Sequence, residues 1–112
     1  NLFINNPNLL VPHESKNVNH GYHLYPLRIK FNKISITKRD LFKKFLKQKI
    51  KLQVHYIPLH FQPYYKKNFG FKRGDFPVAE NFYNQQVSLP IYYGLKNNEI
   101  SKVAKLINYF TK

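Results

Sequence analysis

The stretch Lys49-Ile50-Lys51-Leu52-Gln53-Val54-His55-Tyr56-Ile57-Pro58-Leu59-His60-Phe61-Gln62-Pro63-Tyr64-Tyr65-Lys66-Lys67-Asn68 decides how the chain is read. Its first part predicts a strand over 52–57, with Gln53, His55 and Ile57 on one face and Val54 and Tyr56 on the other. Pro58 ends that strand, because proline brings no amide to a ladder. The segment beyond it is crowded with His, Tyr and Pro, residue types that line small-molecule clefts. His55 therefore belongs to the sheet and His60 to the loop that follows.

Upstream, residues 22–31 alternate. His23, Tyr25, Leu27, Ile29 and Phe31 share one face, Arg28 and Lys30 the other, and Pro26 marks an edge position or a bulge. Thr37 offers a helix N-cap, with Asp40 completing a capping box. Leu41, Phe42, Phe45, Leu46 and Ile50 form an apolar stripe at helical spacing, and Lys43, Lys44, Lys47 and Lys51 face away from it. Residues 1–21, rich in Asn and interrupted by Pro7 and Pro12, read as an irregular lead-in or linker that Leu9, Leu10 and Val11 anchor locally.

Downstream, Pro63 and the aromatic cluster Tyr64, Tyr65, Phe69 and Phe71 suggest a short helical turn, and Gly70 and Gly74 bracket a loop. The aromatic rings suit core or interface packing, or stacking on a base. A helix starts at Phe76-Pro77, where a missing amide costs little, and runs to about Gln85. A third strand spans 87–91, edge-like at Pro90. Asn97 or Asn98 caps a last helix that buries Ile100, Val103, Ala104, Leu106, Ile107 and Phe110. The order β-α-β-α-β-α predicts an α+β fold, a small three-stranded sheet covered by helices.

The chain has 112 residues, which suits one small domain, and 43% of them are hydrophobic, enough for a core. Without cysteine, disulfides and thiolate metal sites are excluded. Without methionine, the chain reads as cut from a longer product. No apolar run is long enough for a bilayer span. A net charge of +14 raises nucleic-acid binding as a function. Against it, only Arg28, Arg39 and Arg73 suit bidentate recognition, and the lysines fall on the polar faces of helices. An independent basic module for nucleic acid or an acidic partner stays open as the alternative reading.

The acidic residues are Glu14, Asp40, Asp75, Glu80 and Glu99, of which Asp40 and Glu99 suit helix starts. No pair forms a catalytic dyad, the glycines form no phosphate loop, and no serine sits in a nucleophile elbow. His55 and His60 remain. Each is able to donate to phosphate or hydroxyl groups or to transfer a proton, or to serve packing alone. Their spacing fits no zinc pattern, and no metal site is expected.

Five ordered phrases carry a resemblance: His23-Leu24-Tyr25-Pro26-Leu27-Arg28; Val54-His55-Tyr56-Ile57-Pro58-Leu59-His60; Gln62-Pro63-Tyr64-Tyr65; Phe76-Pro77-Val78-Ala79-Glu80; and Ser88-Leu89-Pro90-Ile91-Tyr92. Together they resemble the C-terminal small domain of the DegT/DnrJ-type pyridoxal-phosphate sugar aminotransferases. The spacing is most similar to the enzymes that aminate a UDP-linked 4-keto-6-deoxy-hexose on the way to pseudaminic acid. The resemblance implies a type I aminotransferase fold, a larger N-terminal domain on the same polypeptide, a homodimer and a cytoplasmic location. It implies transfer of an amino group, from glutamate in most such enzymes, to the C4 ketone of a UDP-sugar.

In that family the cofactor's lysine and phosphate cup lie in the large domain. The resemblance therefore implies no catalytic or cofactor-binding residue here, and an isolated chain that neither holds pyridoxal phosphate nor transaminates. It assigns residues 1–21 to a lead-in from the large domain and 22–112 to the small domain. It implies a substrate-cleft wall made of His55, Tyr56 and His60, with Tyr25 and Arg28 beside them.

Overall fold

The alternation around Leu27 builds the sheet. In the computed structural model, which describes residues 2–112, β2 spans Tyr25–Ile29 and β3 spans Gln86–Leu89. They pair antiparallel, Tyr25 opposite Leu89 and Arg28 opposite Gln86. On its other side β2 meets the short β1, Leu9–Leu10, so the order is β1-β2-β3. Period-2 geometry sends Leu27, Ile29, Val87 and Leu89 to one face, where all are buried. Pro26, Arg28, Gln86 and Ser88 occupy the opposite face.

The expected strand over 52–57 shrinks to one bridge, Gln53 with Ser88. Both main-chain groups of Ser88 bond to Gln53, at 2.8 and 3.2 Å. The ladder ends there because the next inward-facing amide, that of His55, donates to the side-chain carbonyl of Gln86 rather than to backbone. The third strand is supplied by β1 instead, from the segment expected to be an irregular lead-in. Between Val11 and Leu24 that segment has no helix or strand. Pro26 lies in the middle strand, not at an edge. Ser88 is committed to Gln53, so the sheet requires no amide from Pro26 on that side, and β1 reaches only Arg28 and Ile29 on the other.

Helix α1, Lys38–Lys47, begins as expected: Thr37 Oγ1 accepts from the Asp40 amide at 3.1 Å and donates to the Asp40 carboxylate at 2.7 Å. It ends in a Schellman turn, the Lys49 amide donating to Leu46 O and the Ile50 amide to Phe45 O, with Lys49 at φ 58°. Leu41 and Phe45 are fully buried, but Leu46 is 68% exposed, which corrects the expected stripe. At 100° per residue Leu46 lies a full residue-step from Phe45, off the arc that Leu41 and Phe45 share.

Helix α2, Pro63–Phe69, closes at Gly70, whose φ of 69° suits a residue without Cβ. Helix α3, Pro77–Gln85, runs directly into β3. Helix α4, Asn97–Phe110, starts one residue earlier than its expected asparagine caps, since Lys96 holds the cap position and its amide donates to Glu99 Oε2 at 2.9 Å. Its Val103, Ala104 and Ile107 join Leu41 and Phe45 over the apolar face of the sheet, while Ile100 stays exposed. Phe3 and Leu9 complete this core. Asn6 Nδ2 donates to Thr111 Oγ1 at 2.9 Å and Asn8 Nδ2 to Thr111 O at 2.9 Å, stitching the opening segment to the end of α4. The result is the expected α+β fold: a three-stranded antiparallel sheet and four helices.

The other face is closed by a second link. His60, on a 3-10 turn over Leu59–Phe61, is only 5% exposed. Its Nε2 lies 3.0 Å from Glu80 Oε1 on α3, and the Gly74 amide donates to the same oxygen at 2.6 Å. Phe61 and Phe76 pack against the ring. Burial pushes the Glu80 carboxyl up, but the Gly74 amide, the His60 ring and the Phe76 amide outweigh it and hold it below the usual range.

Two tests follow from this packing. Phe45→Ala is expected to lose about 3–5 kcal/mol, whereas Leu46→Asp stays within about 1 kcal/mol, both read from denaturant midpoints. An equal loss for the two would show that the buried arc of α1 is misplaced. The carboxyl of Glu80 titrates lower in the fold than in the unfolded chain. Its contribution is therefore complete above the ordinary glutamate value of about 4.3 and vanishes as pH falls through the lower folded value. Glu80→Gln is expected to melt below the wild type at neutral pH, with the gap closing on acidification. A gap that is constant with pH would contradict the assignment.

Candidate substrate-cleft wall

His55 is held where the chain leaves its single bridge. Gln53 is fixed to Ser88 by two main-chain bonds, so His55, two residues on, sits over the polar face of β3. Its amide donates to Gln86 Oε1 at 3.2 Å, and its Nδ1 lies 2.9 Å from Ser88 Oγ. Gln86 Nε2 donates to the same hydroxyl oxygen at 2.6 Å. Gln86 is fully buried and Ser88 is 3% exposed, whereas His55 is half-buried and reaches the surface. One closed set of bonds thus fixes both the backbone and the ring of the histidine.

His55 borders a cleft of about 740 Å³ at the end of β3. Lys49, Lys51 and Lys102 line it with His23 and Gln53, and Glu99 is its one acidic residue. Glu99 accepts from the Lys96 amide, and three lysines against this one carboxylate leave the cleft with an excess of positive charge. The Schellman turn after α1 is what delivers Lys49 and Lys51 there. Such a lining favours an anionic ligand with oxygens for hydrogen bonds.

The other sequence-derived candidates divide among several places. Tyr56 follows His55 across a cis peptide bond, is 72% exposed, and packs edge-to-face with the His55 ring at 4.7 Å between ring centres. His60 does not stand at the surface with them. It is interior, bonded to Glu80, so its place is that of a brace between the loop and α3. Arg28 lies on the same sheet face as Ser88, but Gln85 Oε1 takes its Nε at 3.1 Å and its Nη2 at 2.8 Å. Its guanidinium also stands 5.9 Å from the Phe82 ring centre. Tyr25 points to the opposite, apolar face. Its ring lies 6.5 Å from Phe3, and burial, then the Glu14 carboxylate, push its hydroxyl pKa up. It borders a second cleft of about 740 Å³ lined by Val11, Pro12, Leu95 and Ile100.

The sequence places Ser88 in the expected strand over 87–91, with no role at the cleft, and leaves Gln86 outside that strand. The signal was present in Gln86-Val87-Ser88-Leu89. Two polar residues at period 2, flanked by core residues, require partners once both faces of the strand are covered. Among the described residues no group of His and acidic side chains is arranged to hold a metal ion.

Residues 1–108 match the family described as DegT/DnrJ/EryC1/StrS aminotransferases. An uncharacterised protein of Methanocaldococcus jannaschii is 40% identical over 105 residues, 94% of this chain and 27% of that protein. Among solved structures, Helicobacter pylori PseC, an aminotransferase involved in the biosynthesis of pseudoaminic acid, superposes with a TM-score of 0.84 at 24% identity. The match covers 98% of this chain and 29% of that one. A sugar aminotransferase of Streptococcus pneumoniae in its PLP-form gives a TM-score of 0.82 at 23% identity, covering 98% of this chain and 28% of its own. The chain thus spans a little over a quarter of the length of these relatives. With 108 of its residues matching the family along their whole run, the chain belongs to the DegT/DnrJ/EryC1/StrS aminotransferases.

Proposed function

We propose that this chain is the small domain of a pyridoxal-phosphate sugar-nucleotide aminotransferase, contributing one wall of the substrate cleft. The polypeptide comes in from a larger domain through residues 1–21, which add β1 and the Phe3 and Leu9 side chains to the small domain of 22–112, in an enzyme that works as a homodimer. The reaction is transfer of an amino group, from glutamate, to the C4 ketone of a UDP-linked 4-keto-6-deoxy-sugar. The observation that carries this reading is the cleft bordered by His55: a fixed imidazole beside Lys49, Lys51 and Lys102 suits the diphosphate and hydroxyls of such a ligand. His55 and Tyr56 are its contact residues. Arg28 and His60 act from behind, by holding α3 in place, and Tyr25 acts at the opposite face.

Pyridoxal phosphate supplies an electron sink for the amino transfer when bound to the intact enzyme. Lys38, the lysine whose amine is most altered by burial, does not suit its attachment. Burial lowers Lys38 to about 8, which would favour a nucleophilic amine, yet its Nζ donates to Tyr83 O at 2.6 Å and stands 4.9 Å from the Tyr83 ring centre. That group is committed to packing on α3, away from the His55 cleft. In this reading the attaching lysine belongs to the larger domain, as the family resemblance implies, and the isolated chain is inactive.

In the intact enzyme, His55→Ala is expected to raise KM for the sugar nucleotide about 10- to 100-fold, the worth of a hydrogen bond to a charged group, with the melting temperature nearly unchanged. Steady-state kinetics with thermal melting measure both. Unaltered kinetics would remove His55 from the cleft wall.

A further inference from the structure

The hydrogen-bond set under His55 contains more information than its position. Gln86 Oε1 accepts from the His55 amide, so the other end of that amide, Nε2, is the group that faces Ser88. Ser88 Oγ therefore receives a proton from Gln86, and its own single hydroxyl proton must be directed elsewhere. Among the described residues the second partner of that oxygen is His55 Nδ1. Ser88 is 3% exposed, too buried to give the proton to solvent. If Nδ1 carried a proton, it would point at a hydroxyl whose own proton had no acceptor. A buried donor without an acceptor is disfavoured, and every buried side-chain polar atom among the described residues has a partner.

We propose that Gln86 and Ser88 are positioning residues that lock neutral His55 with its proton on Nε2. The sequence of donors runs from Gln86 Nε2–H to Ser88 Oγ, then from Ser88 O–H to His55 Nδ1. The ring thereby presents Nε2–H, a donor, to the cleft. The inference rests on the reading of that cleft as a sugar-nucleotide site. It deepens that reading by assigning His55 the role of a neutral donor to a ligand oxygen, rather than a base that removes a proton. The fully buried glutamine supports this: a bare strand residue needs no amide side chain, whereas a two-ended amide can orient a backbone and a hydroxyl at once.

The test uses the intact enzyme labelled with ¹⁵N-histidine, with His55→Gln identifying the His55 resonances. The expected wild-type signature is an imidazole with protonated Nε2 and bare Nδ1. Ser88→Ala is expected to move that signature toward the other tautomer and to raise KM for the sugar nucleotide about 10-fold with kcat within about twofold. Ser88→Thr, which keeps the hydroxyl, restores both. A fold defect alone would not sort the variants by hydroxyl. A wild-type ring protonated on Nδ1, or a signature unmoved in Ser88→Ala, overturns the lock whatever the kinetics. With the wild-type signature as expected, His55→Gln kinetics equal to wild type overturn the proposal through the reading it rests on.

Discussion

A strand buried on both faces leaves no polar side chain room to remain unanswered, and β3 is such a strand. All four of its residues are buried. Val87 and Leu89 meet this condition by joining the core beneath α1 and α4. Gln86 and Ser88 meet it with hydrogen bonds, and the groups that answer them come from the segment after Gln53. The requirement to satisfy two buried polar residues thus determines where that segment leaves the sheet. It also determines which way His55 faces. Burial, strand geometry and site geometry are one constraint at this point of the chain.

The loop beyond is held by a second polar link of the same kind. His60 and Glu80 are interior and bonded to each other, and the Gly74 amide shares the carboxylate. Here an apolar loop with Phe61, Phe71 and Phe76 is tied to α3 at one charged point. Arg28 connects β2 to the end of the same helix through Gln85. Helix α3 therefore receives contacts from β2 and from the loop that carries His60, and it passes directly into the strand that orients His55. The residues read as a ligand-facing group from the sequence divide into those at the cleft and those that fix the frame behind it.

Much of this frame was legible. Alternation located β2, capping-box chemistry located the start of α1, and proline at the first turn located α3. The losses have specific causes. The strand at 52–57 had the right periodicity, but a side-chain carbonyl from Gln86 replaced the next backbone acceptor, and alternation does not reveal such competition. Leu46 is hydrophobic at a position that helical spacing tolerates on either side of the apolar arc, so only packing separates it from Phe45. The opening segment showed turn residues and no period. Its order comes from Asn6 and Asn8 bonding to Thr111 more than a hundred residues away, a partnership no local pattern records. At the candidate site, the buried place of His60 depended on Glu80 arriving from another helix, which no pattern local to the loop records.

The charge of the chain gains its meaning from the same geometry. A net charge of +14 spread over solvated helix faces does little more than favour association with any polyanion. Three of the lysines are different, because the turn that ends α1 and the outer side of α4 bring them around a concave surface that already holds a fixed imidazole. Positive charge in a cleft acts on a ligand at close range, where neighbouring walls reduce screening by water. A neutral histidine donor has an advantage in that setting over a charged one: it adds direction to the hydrogen bond without adding another repelling cation. Ser88, at the buried margin of the cleft, and Gln86, behind it, supply that direction. Their burial, which the strand requires for folding, is what makes the direction stable.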